Sequence, residues 1–127
     1  MTVKVYKVEP KTENNQNVLD VKDGGKPIDA TQSTTIVWYL DSDSGTFNAI
    51  DGSATSGFRW PTPPGSTAGF GTPTLAPGGQ VLTIVDAAGA DGTYTYQLNA
   101  TINGTPYSTQ ISSSPAGTID NPMIKNN

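Results

Sequence analysis

The sequence contains no cysteine and no histidine. Without thiols there is no disulfide framework and no thiolate nucleophile. Without imidazole, the commonest general base near neutral pH and the commonest zinc ligand are both missing. Zinc, copper and iron sites lose their usual ligands, and Ser-His-Asp or Cys-His catalysis cannot be built. What survives is carboxylate chemistry and an oxygen-ligated calcium site, and no cofactor is expected. Positive charge is also scarce: seven Lys and Arg face eleven Asp and Glu, a net charge of −4. Lys4, Lys7, Lys11 and Lys22 are spread among polar residues and form no patch, which argues against a nucleic-acid partner. No run approaches the roughly 18 apolar residues that span a bilayer, so no membrane partner is expected. Residues 1–6 alternate and lack an apolar signal core. This predicts a cytoplasmic chain, or an exported one if a leader has been removed.

Helical periodicity is missing as well. Fourteen glycines and ten prolines recur too often for a helix of useful length to survive. Thr, Val, Ile and Tyr fill the gaps and favour a pleated, half-buried surface. The 127 residues suit one domain, 1–127, which can bury roughly two-thirds of its unfolded surface without staples. Short strands with frequent turn signals predict an all-β, two-sheet antiparallel sandwich of about eight or nine strands, immunoglobulin-like or cupredoxin-like, without disulfide or metal centre.

The first strand is expected over 2–8, with Val3 and Val5 on one face, followed by a polar loop over 10–17. A short strand over 17–22 ends in the turn Asp23-Gly24-Gly25. The clearest central strand is 34–40, with Ile36, Trp38 and Leu40 sharing a face by the two-residue period. Short strands are expected over 45–50 and 57–60. An edge strand over 70–75 carries Pro73, and Lys4 and Lys7 read as protection on a second edge. The strand 80–86 has either Leu82 and Ile84 or Val81 and Val85 inward. The strongest strand is 93–102, with Tyr94, Tyr96, Leu98, Ala100 and Ile102 alternating against polar residues. Asn103-Gly104 is the strongest short hairpin signal and turns it into 105–112. A terminal strand is expected over 121–125.

Two features resemble the immunoglobulin sandwich: Trp38 inside an apolar strand, and the run Ala90-Asp91-Gly92-Thr93-Tyr94-Thr95-Tyr96. The run is similar to the segment that enters strand F of that fold, where a tyrosine hydroxyl bonds back to the backbone. The resemblance makes Tyr94 that corner residue and puts Tyr96 where a disulfide cysteine would stand, with the acid one position late. The Tyr-x-Tyr strand, the hairpin and the closing Asn121-Pro122-Met123-Ile124-Lys125-Asn126 also resemble small uncharacterised bacterial sandwich proteins. They are distantly similar to the bacterial inclusion-body (PixA/AidA-like) proteins. That likeness covers about a quarter of the chain, has Asn121 in place of an Asp, and implies a bacterial, cytoplasmic, non-enzymatic protein. It transfers no functional residue.

Three groups of residues are candidate sites. Asp41, Asp43 and Asp51, with Ser42 and Ser44 between the first two, could offer calcium its oxygens, but no Glu follows at the twelfth position of the loop. Asp41 and Asp43, about 7 Å apart on an extended chain, could also serve as a glycosidase-like acid/base pair. The same residues are ordinary turn formers. Phe58, Arg59, Trp60 and Phe70 surround the Pro-rich middle, where Pro61-Thr62-Pro63-Pro64 forms a minimal PxxP. Aromatics on a loop can stack on sugars or anchor a protein, with Arg59 adding hydrogen bonds; the plainer reading is that they cap the core. Asn99-Ala100-Thr101 and Asn103-Gly104-Thr105 match glycosylation sequons. The expectation that follows is a non-catalytic binding or self-assembly module, with a protein, a glycan or a second copy of itself as partner. The alternatives are a carbohydrate-binding module or lectin using the Trp60 loop and, last, a carboxylate hydrolase.

Overall fold

The computed structural model describes residues 2–13, 15–22, 28–109 and 122–127. The expected turn Asp23-Gly24-Gly25, the end of the strand expected over 105–112 and Asn121 lie outside them. The described residues form twelve strands: β1 (Thr2–Glu13), β2 (Gln16–Val21), β3 (Ile28–Ala30), β4 (Thr34–Leu40), β5 (Gly45–Phe47), β6 (Phe58–Arg59), β7 (Thr74–Leu75), β8 (Val81–Asp86), β9 (Gly92–Thr95), β10 (Gln97–Ile102), β11 (Thr105–Ser108) and β12 (Met123–Asn126). The one helical turn, Ser66–Ala68, is 3-10 and closes on Gly69 in the left-handed region at φ 86°. No helix among the described residues is long and apolar enough to cross a membrane.

The fold is an all-β sandwich. One large sheet runs β5-β10-β11-β2-β1-β4-β8-β7, with β6 also beside β10, and a small sheet runs β3-β12-β9. Where β11 meets β2, Ser108 and Val18 are the one pair among the described residues. The two halves of the large sheet face each other across the core, so that Trp38 of β4 meets Phe58 of β6. On the far side the Phe47 N–H donates to the Gly79 carbonyl at 2.8 Å. The Gln80 amide also donates to the Ser42 and Gly45 carbonyls there.

Alternation decides which residues enter the core. Ile36, Trp38 and Leu40 of β4 and Leu82 and Ile84 of β8 are buried, while Val81 and Val85 face outward. Trp38 and Tyr96 meet between the layers, with ring centroids 5.0 Å apart. The Trp38 Nε1–H donates to the Tyr96 hydroxyl at 3.1 Å. Asn103 and Gly104 both take positive φ, 51° and 78°, as the hairpin signal requires. The Tyr94 hydroxyl donates to the Ala90 carbonyl at 3.0 Å, the backbone bond that the corner resemblance implied.

Several expectations need correction. The sandwich is mixed rather than antiparallel: β1 and β4, β3 and β12, and β2 and β11 pair in parallel. The chain leaves β2 to lay β3 in the small sheet before returning beside β1, and a strand that returns after a crossover runs parallel. Residues 10–13 and 16–17 belong to paired strands rather than a loop, from Pro10 opposite Leu19 to Glu13 opposite Gln16. Beyond Val8, where the pairing with β4 ends, β1 has a neighbour on one side only, and there a proline is tolerated. β1 pairs with β4 over Thr2–Val8 and with β2 over Val8–Glu13, so Lys4 and Lys7 stand on a stretch whose strand partner, among the described residues, is β4 alone. Lys7 pairs with Glu9 at 3.2 Å and Asp41 at 3.8 Å. Val3 and Val5 do share a face, but it is the solvent face. The strand expected over 93–102 breaks at Tyr96, whose N–H donates to the Pro122 carbonyl, so β9 joins the small sheet and β10 the large one.

Candidate functional site

Phe58, Trp60 and Phe70 come together. β6 pairs with β10 through Phe58 opposite Leu98 and Arg59 opposite Gln97. The two-residue period then sends Phe58 and Trp60 one way and Arg59 the other. Trp60 lies 5.0 Å from Phe58, edge to face, and 4.6 Å from Phe70. Phe70 in turn meets Tyr94 at 5.1 Å, and Phe58 stacks on Tyr96 at 5.8 Å. The rings form a continuous column from the half-buried Tyr94 to the fully buried Trp38. Trp60 and Phe70 are themselves half-buried and packed against the core. A groove of about 300 Å³ lined by Ile50, Trp60, Pro63 and Pro73 opens beside Trp60. It offers apolar surface to a ligand.

Arg59 also lines this groove while its guanidinium reaches towards the outer side of β10. Its Nη1 donates to Gln97 Oε1 at 2.6 Å, and Gln97 Nε2 donates to Ser108 Oγ at 2.8 Å. Hydrogen bonding therefore spreads over the outer side of β10, away from the ring column. Pro61, Thr62 and Pro63 are exposed. Asn99 is buried and donates to the Ser56 carbonyl, so the first sequon is closed to a glycan. Asn103 belongs to its turn.

The aspartates do not gather. Asp41 faces Lys7, and Asp51 accepts both the N–H and the hydroxyl of Ser53, which hold its carboxyl below the usual carboxylate range. Among the described residues no three of Asp, Glu, His or Cys stand close enough to hold a metal ion, so Asp41, Asp43 and Asp51 do not form a carboxylate cluster.

A different acid is buried. Asp86, fully out of contact with solvent at the end of β8, accepts the Ala88 N–H at 2.9 Å through Oδ1. Its Oδ2, like Asn126 Oδ1, has no hydrogen-bond partner among the described residues. Burial pushes the carboxyl above its usual range, against the opposing pull of the Ala88 N–H and the Asn126 side chain. A raised folded value means that this group favours the fold fully below the ordinary carboxylate pKa and that the advantage is lost as pH rises through the folded value. Asp86→Asn keeps the acceptor for Ala88 and cannot ionise. Its stability relative to the parent protein is expected to rise between pH 3.5 and 7. Urea midpoints at both ends of that range check this, and a difference independent of pH contradicts it.

No family model matches the sequence, and no curated protein matches it significantly. Fold and site together therefore define an all-β sandwich with an aromatic column at one end. The sequence reading missed Asp86 and the amides around Gln97. Asp86 closes a strand like any turn-forming Asp, and the partners of Gln97 come from distant segments.

Proposed function

We propose that this protein is a non-catalytic self-assembling module whose copies dock through the outer face of β1, β4 and β8. The observation that carries this is that the centre of the large sheet is apolar on both sides. β4 reads Thr-Thr-Ile-Val-Trp-Tyr-Leu without alternation. A sheet with one solvated face alternates, whereas one covered on both faces reads as a continuous apolar run. In register, Thr35 lies between Val3 and Val85, Val37 between Val5 and Thr83, and Tyr39 between Lys7 and Val81. Val3 and Val5 are each 58% exposed, Val85 42%, Tyr39 39% and Val81 36%. Contiguous exposed apolar surface of this kind marks an interaction site.

A second copy suits the face best. The one cation in these rows, Lys7, is already compensated by Glu9 and Asp41. A two-fold related copy would therefore bring valine rows against valine rows without opposing like charges, at the spacing of stacked sheets. The non-catalytic reading is supported by the missing His and Cys and by the scattered aspartates.

Sedimentation velocity from micromolar to millimolar concentration tests it. The parent protein should shift towards a dimer, and Val5→Asp/Val85→Asp should stay monomeric with an unchanged unfolding midpoint. A parent protein that is monomeric throughout overturns the reading. A carbohydrate-binding role at Trp60 is the second reading, favoured by the groove beside that half-buried ring.

A further inference from the structure

We infer that the outer side of β10 carries a binding site for a neutral, polyhydroxylated ligand, a glycan, separate from both the valine face and the Trp60 groove. A groove of about 450 Å³ lies there, lined by Asn17, Asn48, Gln97, Asn99, Tyr107 and Ser108. None of its described lining residues is charged.

The strand period builds the floor. Leu98 and Ala100 fill the core, so Gln97 and Asn99 point to the other side, where the segment after β5 and the start of β2 wall them in. Each amide is held by another group. Gln97 is fixed between Arg59 and Ser108, and Asn99 Nδ2 donates to the Ser56 carbonyl at 2.9 Å. Asn48 Nδ2 donates to the Thr55 carbonyl at 2.8 Å, while Asn48 Oδ1 accepts the Thr101 hydroxyl at 2.7 Å. Asn17 Oδ1 accepts the Thr12 hydroxyl at 3.2 Å.

A primary amide has two N–H donors and an oxygen with two lone pairs. The bonds above engage only part of that capacity. Asn99 Oδ1, for example, has Gln97 Nε2 no nearer than 3.4 Å. The groove thus presents donors and acceptors of one chemical kind, already oriented, so that little ordering remains when a ligand arrives. Sugar hydroxyls, which both donate and accept and carry no charge, are the matching chemistry, and Tyr107 and Pro106 add apolar wall for the C–H faces of a ring.

Other ligand classes fit less well. Among the described residues the neighbouring cation is Arg59, already bonded to Gln97, and none of the described lining residues is positively charged for phosphate. A peptide in extended form would add at a strand edge through backbone groups, whereas these groups are side chains on a sheet face.

The test is titration of the ¹⁵N-labelled chain with neutral hexasaccharides of glucose, mannose, galactose and N-acetylglucosamine. An alanine-rich hexapeptide serves as the competing class. At least one hexasaccharide should shift the side-chain amide signals of Asn48, Gln97 and Asn99. Ala54→Trp, at an exposed rim position, fills the groove without removing a hydrogen bond. It should weaken binding at least about tenfold at an unchanged unfolding midpoint. Asn17→Ala, also exposed, should weaken it without filling the groove. Val5→Asp/Val85→Asp should bind as the parent does, so failure of the assembly reading and failure of this one are separable. The proposal is overturned if no hexasaccharide moves those signals, if only the hexapeptide does, if the shifts centre on Trp60, or if Ala54→Trp binds undiminished.

Discussion

Trp38→Ala is expected to destabilise the protein by about 3–5 kcal/mol, as for other fully buried large aromatics. That is a large part of the stability of a domain this size. The indole is completely buried, touches Phe58 and Tyr96, and joins the two halves of the large sheet across the core. Its loss removes both a large apolar body and the partner of a buried hydroxyl. Tyr96→Phe separates the two contributions. It keeps the ring but leaves Trp38 Nε1–H buried without its acceptor, a loss of about 1–3 kcal/mol. Trp38→Phe/Tyr96→Phe removes donor and acceptor together and is expected to lose less than Trp38→Ala. Urea unfolding followed by far-UV circular dichroism measures all three. A Trp38→Ala loss below about 1 kcal/mol would contradict the central place given to this contact.

Gly57→Ala is expected to have the second large effect, about 2–4 kcal/mol. A Cβ at position 57 would sit well inside van der Waals contact of the Asn48 carbonyl oxygen, and backbone cannot rotate away as a side chain can. The position is also clamped, because the Gly57 N–H donates to the Ala49 carbonyl and the Gly57 carbonyl accepts the Asn99 N–H, both at 3.1 Å. The substitution should push the segment after β5 off β10 and open the amide groove, visible as altered Asn48 and Asn99 signals. Gly65→Ala is the control. Its φ is −67° and its nearest neighbour to an added Cβ is Thr67 Oγ1 at 3.9 Å, so a change within about 0.5 kcal/mol is expected. Equal losses at both positions would show that steric closeness to Asn48 is not the cause.

The elements that were legible in advance are those in which local pattern and tertiary use agree. β4 and β8 were readable because β-branched and aromatic residues fill them. The β10–β11 hairpin was readable because Asn103-Gly104 supplies two positive φ angles at no cost elsewhere. Phe58, Trp60 and Phe70 were singled out as a group and do pack as one. Arg59, grouped with them, lines the same groove as Phe58 and Trp60, and its guanidinium is engaged by Gln97. The polar composition of 10–17 made the β1–β2 hairpin read as a loop, and Pro10 is accommodated because its missing N–H is harmful only where a neighbouring strand needs it.

By itself the sequence determined the class of structure and most of the chemistry it can lack. Gly and Pro spacing rules out long helices, and the absence of His and Cys removes their reactions wherever the chain folds. Tertiary structure alone decided the rest. It turned Val3, Val5, Val81 and Val85 out to solvent and Leu82 and Ile84 in. It moved the chain between sheets at Tyr96, buried Asp86, and set Asn17, Asn48, Gln97 and Asn99 around one groove. The reason is physical: a two-residue period says which residues share a face. Which face meets the core, and which distant strand supplies the neighbours, depends on pairings between residues far apart in the chain.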